Sequence, residues 1–149
     1  MKKIIPLILI TLSSICGCQK KDNSSTSSYV EPHYNEVEEL HIEWKDLFNQ
    51  SENQFYAYVY SVTCTPCSML RTEITEFAKS GKVKLYFIFP SDDIAFTNDE
   101  TLADASLGAT SLENVYCYST PTLIEITANA VTKYTRDYYE IKSFIASFG

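Results

Sequence analysis

The sequence predicts an α/β domain whose central mixed sheet is flanked by helices. Its 149 residues are 45% hydrophobic and 21% charged, which is typical of a globular domain of ordinary size. Apolar runs with strand character alternate with stripes of helical spacing along most of the chain. A β-α-β unit comes first and a β-hairpin and a helix come last, and this succession predicts a sheet covered by helices.

The first half of the domain centres on a strand predicted at residues 55–60, FYAYVY. These aromatic and β-branched side chains suit a strand that is buried on both faces. Before it, residues 40–42 predict a short strand and residues 44–48 show helical spacing. After it, a helical stripe that ends near Gly81 comprises Met69, Leu70, Ile74, Phe77 and Ala78.

The second half contains further predicted strands and a final amphipathic helix. Residues 83–89 form an apolar strand that Pro90 closes, and the polar residues 91–111 predict a loop with a helix. Residues 123–126 and 131–134 predict a hairpin. The apolar face of the last helix consists of Ile141, Phe144, Ile145 and Phe148.

The N-terminal residues predict an export signal and a lipid anchor. Two lysines precede an apolar stretch of about a dozen residues, which is shorter than the ~20 needed to span a bilayer. Residues 1–17 are therefore predicted to be a lipoprotein signal peptide. The sequence ICGC at residues 15–18 resembles the bacterial lipobox, in which a cysteine is lipidated and becomes the new N-terminus. Cys18 fits that role because a small glycine precedes the cut, whereas Cys16 follows an isoleucine.

The predicted anchor places the mature protein on the outer face of the bacterial cytoplasmic membrane, held through lipid on Cys18. Residues 18–39 include a Ser/Thr/Asn cluster that cannot bury apolar surface, so this lipidated segment is predicted to be a flexible linker. The folded domain is predicted at residues 40–149. This extracytoplasmic compartment permits disulfide bonds.

The charge and the motifs present exclude several classes of function. The formal net charge of −7 repels phosphate backbones, so we expect no nucleic-acid partner. The sequence contains no Walker loop, no Gly-rich dinucleotide turn and no Ser/His/Asp arrangement.

Two cysteines lie where the central strand leads into the first helix, in the sequence Cys64-Thr65-Pro66-Cys67. Their sulfur atoms share one face of the first helical turn and can form a disulfide. Cys64 is predicted at the helix N-terminus, where free N–H groups and the helix dipole stabilise a thiolate and lower its pKa. Cys64 is therefore the predicted attacking sulfur, and Cys67, one turn deeper, can resolve a mixed disulfide. Pro66 suits the first turn because its missing N–H has no helical partner to lose.

With this motif the sequence resembles the thioredoxin superfamily. A second segment, STPT at residues 119–122, is similar to the cis-proline loop of that superfamily, and Pro121 lies 54 positions after Cys67. The resemblance covers residues 40–149, nearly the whole domain. It implies a thioredoxin-like three-layer sandwich with a cis peptide bond before Pro121.

The resemblance also implies a groove for substrate. The backbone of Thr120 would pair with an extended substrate segment, which is a form of β-augmentation, and Pro121 would shape the same groove. Thr65 and Pro66, between the two cysteines, would contact substrate and tune the reduction potential.

Two positions depart from the superfamily pattern. Many thioredoxins have tryptophan before the first cysteine, where this sequence has Thr63, and a buried acid six residues before it, where this sequence has Tyr58. A tyrosine, with an ordinary pKa of about 10, is a poor general base at neutral pH. Pro66 resembles the reducing members and favours a reductase or an isomerase.

Other interpretations of the cysteines remain open. The pair is also compatible with half of a zinc site, for which His33, His41 and Cys117 are the candidate further ligands. A purely structural disulfide would stabilise little, because the loop it closes is short. Cys117 is interpreted as a small buried hydrophobe, with a third redox thiol as the alternative. Its place four residues before Pro121 is expected to bring it towards the active-site side.

These observations predict an extracytoplasmic thiol-disulfide oxidoreductase that exchanges the Cys64–Cys67 disulfide or dithiol with protein substrates. Its expected partners are thiol- or disulfide-containing proteins and a membrane or extracytoplasmic redox partner. We expect it to need neither a cofactor nor a metal. The alternative is a non-enzymatic thioredoxin-like module for binding or assembly, tethered at the cell surface.

Overall fold

The structure, a computed structural model, describes residues 34–91 and 93–149. Its sheet strands are β1 Gln54–Val59, β2 Leu85–Ile88, β3 Thr122–Thr127 and β4 Ala130–Arg136. Its α-helices are α1 Thr65–Lys79, α2 Glu100–Asp104 and α3 Tyr138–Ala146. Short 3₁₀ segments lie at Asn35–Leu40, Trp44–Asp46 and Leu112–Asn114.

The four strands form a mixed sheet in the order β2-β1-β3-β4. β1 runs parallel to β2 and antiparallel to β3, and β3 runs antiparallel to β4. The register pairs Val59, at the end of β1, with Thr122, at the start of β3. Helices flank this sheet, so the predicted α/β class with a central mixed sheet is confirmed.

Strand β1 is buried on both faces, as its sequence predicts. The tyrosines at 56, 58 and 60 point into a core cluster that α1 and α3 complete. The second cluster lies between the sheet and residues 94–117, together with the buried Trp44. The alternate side chains of β1, which point into this second cluster, are Phe55, Ala57 and Val59.

The fold includes residues that lie before the predicted domain start at Leu40. Tyr34 and Val37 are buried in the cluster with α1 and α3, so the chain joins the core within the segment assigned to the linker. Glutamates surround these two side chains in the sequence and mask their apolar character. Residues 1–33, with the predicted signal peptide and Cys18, lie outside the described residues.

Two further features differ from the sequence prediction. Residues 40–42 make only an isolated bridge to β2 instead of a strand, with the Ile42 N–H donating to the Phe87 carbonyl at 3.0 Å. Met69, assigned to the apolar stripe of α1, is 58% exposed. The helix predicted in the polar residues 91–111 is present as α2, which is five residues long.

The predicted hairpin forms between β3 and β4. Ala128 and Asn129 have φ angles of 51° and 60°, and positive φ at both central positions is typical of the type I′ turn. No helix in residues 34–91 or 93–149 has the length and apolar character needed to cross a bilayer.

Leu70→Ala is expected to lower the free energy of unfolding by about 2–5 kcal/mol, because this fully buried side chain would leave a cavity under α1. The matched control is Met69→Ala on the exposed face of the same helix, for which a change below about 0.5 kcal/mol is expected. Urea unfolding followed by circular dichroism measures both. Equal losses for the two variants would contradict the orientation of α1.

Candidate active site

The site lies where β1 ends and α1 begins, and Cys64 occupies the N-cap of that helix. Cys64 and Cys67 are joined by a disulfide, with their Cα atoms 5.2 Å apart. Cys64 is partly exposed, whereas Cys67 is 1% exposed and belongs to the core cluster under α1. An attacking sulfur needs access to substrate and a resolving sulfur does not, so this asymmetry is compatible with the predicted roles, which stay predictions.

Backbone groups surround the Cys64 sulfur. The Cys67 N–H donates to Cys64 Sγ at 3.1 Å, so one of the free amides of the first helical turn already points at this sulfur. From the other side, the Thr120 carbonyl oxygen lies 3.2 Å from Cys64 Sγ. The amide and the positive end of the helix dipole would both stabilise a thiolate formed here on reduction.

The predicted proline loop forms the second side of the site. The peptide bond between Thr120 and Pro121 is cis, as the sequence resemblance implies. Pro121 is buried, and Thr122 Oγ1 donates to the Ser119 carbonyl at 2.7 Å, which closes the loop directly before β3.

Of the sequence-predicted site residues, the structure brings Cys64, Cys67 and Thr120 into direct contact. Thr65 and Pro66 lie exposed on the first turn of α1, between the two cysteines. The roles assigned to these two residues and to Thr120 and Pro121 in binding substrate stay predictions.

Behind Cys67 the interior is aromatic. Tyr58, at the position where many thioredoxins carry an acid, is fully buried, and this burial raises the pKa of its hydroxyl far above the ordinary value of 10. The Tyr58 hydroxyl therefore stays protonated at neutral pH and is no general base.

A residue that sequence reasoning missed contacts the redox pair. The Tyr34 hydroxyl donates to the Cys67 carbonyl at 2.9 Å and lies 3.4 Å from the Tyr58 hydroxyl. The sequence contains one indication that this segment packs against the core. Tyr34 and Val37 are apolar and lie three positions apart in a polar stretch.

Cys117 is a free and fully buried cysteine. It belongs to the cluster on the opposite face of the sheet from Cys67, so the expectation that it approaches the active-site side is wrong. Burial raises the pKa of its thiol to about 12, against the opposite effect of a hydrogen bond with Tyr134. The interpretation of Cys117 as a small buried hydrophobe agrees with this position.

The alternative zinc site would need a cluster of metal-binding side chains, and the described part of the chain contains none. Residues 34–91 and 93–149 contain no group of three or more His, Cys, Asp or Glu side chains placed to hold a metal. His41 instead makes hydrogen bonds with the Val37 carbonyl at 3.1 Å and the Tyr60 hydroxyl at 2.9 Å. His33 lies outside the described residues.

Comparison with known proteins gives a fold but no family. No protein-family model and no curated protein matches the sequence. Among solved structures, the chain is similar to thioredoxin f2 of Chlamydomonas reinhardtii, with 12% sequence identity and a TM-score of 0.50. The match covers 72% of this chain and 91% of that chain. It is also similar to oxidised mitochondrial thioredoxin 3 of Saccharomyces cerevisiae, with 12% identity, 76% and 97% covered, and a TM-score of 0.47.

The first of these likenesses establishes the fold alone, because the identity is low, and the second adds no argument. The likeness to thioredoxin f2 and the observed sheet order together confirm the predicted thioredoxin-like sandwich. In this chain the sandwich carries Cys64 and Cys67 within disulfide distance.

Cys117 is expected to resist iodoacetamide at pH 8 in the native protein, because a thiol with a pKa near 12 stays protonated there and the side chain has no exposed surface. Peptide mass mapping should find it modified only after denaturation. As the control, Cys64 should be modified in the native protein once dithiothreitol has reduced the disulfide. Rapid native modification of Cys117 would contradict its burial.

Proposed function

We propose that this protein is an extracytoplasmic thiol-disulfide oxidoreductase that exchanges the Cys64–Cys67 pair with protein substrates. The observation that carries the proposal is the position of the Cys64 sulfur, which lies at the start of α1 with the Cys67 N–H 3.1 Å away. This arrangement favours a thiolate at the partly exposed cysteine, and the second cysteine is already within bonding distance.

In the reducing direction, the Cys64 thiolate attacks one sulfur of a substrate disulfide. A mixed disulfide forms and the first substrate sulfur leaves as a thiolate. Cys67, as its thiolate, then attacks Cys64 Sγ, closes the Cys64–Cys67 disulfide and releases the second substrate thiolate. Two electrons pass from the cysteine pair to the substrate, and the two protons of the original dithiol end on the substrate thiols.

Renewed turnover requires a dithiol donor that reduces the Cys64–Cys67 disulfide by the same exchange. The direction depends on the reduction potential relative to that of the partner. Pro66 before Cys67 favours a reductase or an isomerase over an oxidase. We therefore propose a membrane or extracytoplasmic dithiol protein as the electron donor.

The groove for substrate would lie between the first turn of α1 and the proline loop. An extended substrate segment would pair with the backbone of Thr120 alongside Pro121, and this places a substrate sulfur next to Cys64. Thr65 and Pro66 are exposed beside that sulfur, where they are free to contact substrate.

Cys64→Ser is expected to abolish the reversible couple between protein and glutathione, because the attacking sulfur is lost. Cys67→Ser should instead accumulate a mixed disulfide on Cys64 that no second cysteine resolves. Alkylation with N-ethylmaleimide followed by intact mass measurement distinguishes these species. Cys117→Ala is the control and should cycle as the unaltered protein does; failure of the unaltered protein to cycle at any glutathione ratio would refute the proposed function.

We propose that the domain is tethered outside the cytoplasmic membrane through lipid on Cys18. The support comes from the residues 1–18 alone, in which a short apolar segment leads to ICGC. Multiple acyl chains on one cysteine would anchor the protein stably, since each buried methylene contributes ~0.8 kcal/mol.

Cys18→Ser is expected to prevent incorporation of an alkyne-labelled fatty acid in bacterial cells and to move the protein out of the membrane fraction. Cys16→Ser is the matched control and should keep both label and membrane association. Click labelling of the immunoprecipitated protein measures the lipid. Full labelling of Cys18→Ser would show that the anchor lies elsewhere.

A second candidate function is a non-enzymatic binding module. The buried, protonated Tyr58 in place of an acid favours it, because proton transfer from the buried Cys67 then lacks a carboxylate acceptor at that position. The test is a double Cys64→Ser, Cys67→Ser variant expressed in a strain that lacks the gene. If this variant returns the strain to its normal phenotype, the result would support the binding module over the oxidoreductase.

A further inference from the structure

We propose that Tyr34 is a positioning residue for the redox pair. Its hydroxyl holds the Cys67 backbone so that the first turn of α1 keeps its geometry around the Cys64 sulfur when the disulfide is open. The inference rests on the proposed thiol-disulfide exchange. It adds to that exchange a residue that lies 33 positions before Cys67 in the sequence.

The contact between Tyr34 and the pair is direct. The Tyr34 hydroxyl donates to the Cys67 carbonyl at 2.9 Å inside the core, where both residues are almost fully buried. The N–H of the same residue, Cys67, donates to Cys64 Sγ. Fixing the Cys67 backbone therefore fixes the amide that faces the reactive sulfur.

Packing holds the Tyr34 ring in place. The Tyr60 ring meets it edge-on with centroids 4.3 Å apart, and the Phe87 ring lies 5.3 Å away. The Arg71 guanidinium carbon lies 5.9 Å from the centre of the Tyr34 ring, and Arg71 Nη2 reaches Glu36 Oε1 at 3.5 Å. These contacts tie the N-terminal segment to α1, so the hydroxyl is held in position before it makes its bond.

The Tyr34 bond should matter more in the dithiol form than in the disulfide form. In the disulfide form a covalent bond already fixes the distance between Cys64 and Cys67. In the dithiol form only non-covalent contacts keep the Cys67 amide directed at the Cys64 thiolate. A bond that helps one form more than the other shifts the equilibrium between them, whereas a purely structural bond stabilises both forms equally.

The test is Tyr34→Phe in the full-length protein, which removes the hydroxyl and keeps the ring. The protein is equilibrated with mixtures of glutathione and glutathione disulfide, in which two glutathione molecules reduce the protein disulfide to the dithiol and form one glutathione disulfide. After alkylation, intact mass gives the ratio of dithiol protein to disulfide protein. The expected result is a shift towards the disulfide form by about threefold. The upper limit is about tenfold, the size of one net hydrogen bond that the dithiol form alone would lose. Alkylation of Cys64 in the reduced variant should slow in parallel.

Tyr56→Phe is the matched control. Tyr56 belongs to the same cluster, but its hydroxyl interacts with Glu125, so its loss should leave the glutathione equilibrium unchanged. If Tyr34→Phe lowers the stability of the disulfide and dithiol forms equally and leaves the equilibrium unchanged, the positioning role is overturned and the exchange activity stands. If the unaltered protein forms no reversible couple, the proposed function fails and this inference fails with it.

A second measurement applies if Tyr34→Phe does not fold. With 3-fluorotyrosine at position 34 of the otherwise unaltered chain, the ¹⁹F resonance is expected to shift between the disulfide and dithiol forms. An identical resonance in both forms would overturn the inference.

Discussion

The position of the redox pair depends on the pairing of β1 with strands on both sides. β1 runs through the centre of the sheet, and its last residue leads by a short turn into Cys64. Because β3 runs antiparallel to β1, Val59 at the end of β1 lies opposite Thr122 at the start of β3. This register brings the Thr120 carbonyl to 3.2 Å from Cys64 Sγ across 56 residues of sequence. A slip of this pairing would separate the two sides of the site.

The aromatic interior behind Cys67 has consequences for proton transfer. A buried carboxylate costs much more to desolvate than a neutral hydroxyl, and the hydroxyls of Tyr34 and Tyr58 are hydrogen-bonded inside the core. Burial raises the pKa of both hydroxyls, so neither accepts a proton from Cys67. In the proposed exchange, the acceptor for the Cys67 proton is therefore neither of these two hydroxyls, and solvent has access to the site at the partly exposed Cys64.

The parts of the fold that the sequence predicts correctly are those with local signals. The burial of β1 follows from its own residues, and the place of Cys64 at a helix start follows from a strand, two cysteines and Pro66 in succession. Tyr34 escaped prediction because its contact with Cys67 is tertiary and its neighbours are polar. Helical spacing includes Met69 in the apolar stripe of α1 although its side chain is exposed, because spacing gives the direction of a stripe but not its width. The separation of Cys117 from Pro121 in sequence carried no information about which face of the sheet receives the thiol.

The sheet that positions Cys64 and Cys67 also separates them from Cys117, the free cysteine among the described residues. Cys67, on α1, is buried on one face of the sheet, and Cys117 is buried on the other. Thiol-disulfide exchange requires a thiolate in line with a disulfide, and Cys117 has neither the charge nor the access, because burial keeps its thiol protonated. A third accessible thiol near Cys64 would compete with Cys67 for the mixed disulfide. Its attack on Cys64 Sγ would release the substrate thiolate but close a disulfide other than Cys64–Cys67. Among the described residues, burial of Cys117 on the opposite face thus leaves Cys67 as the resolving sulfur of the proposed exchange.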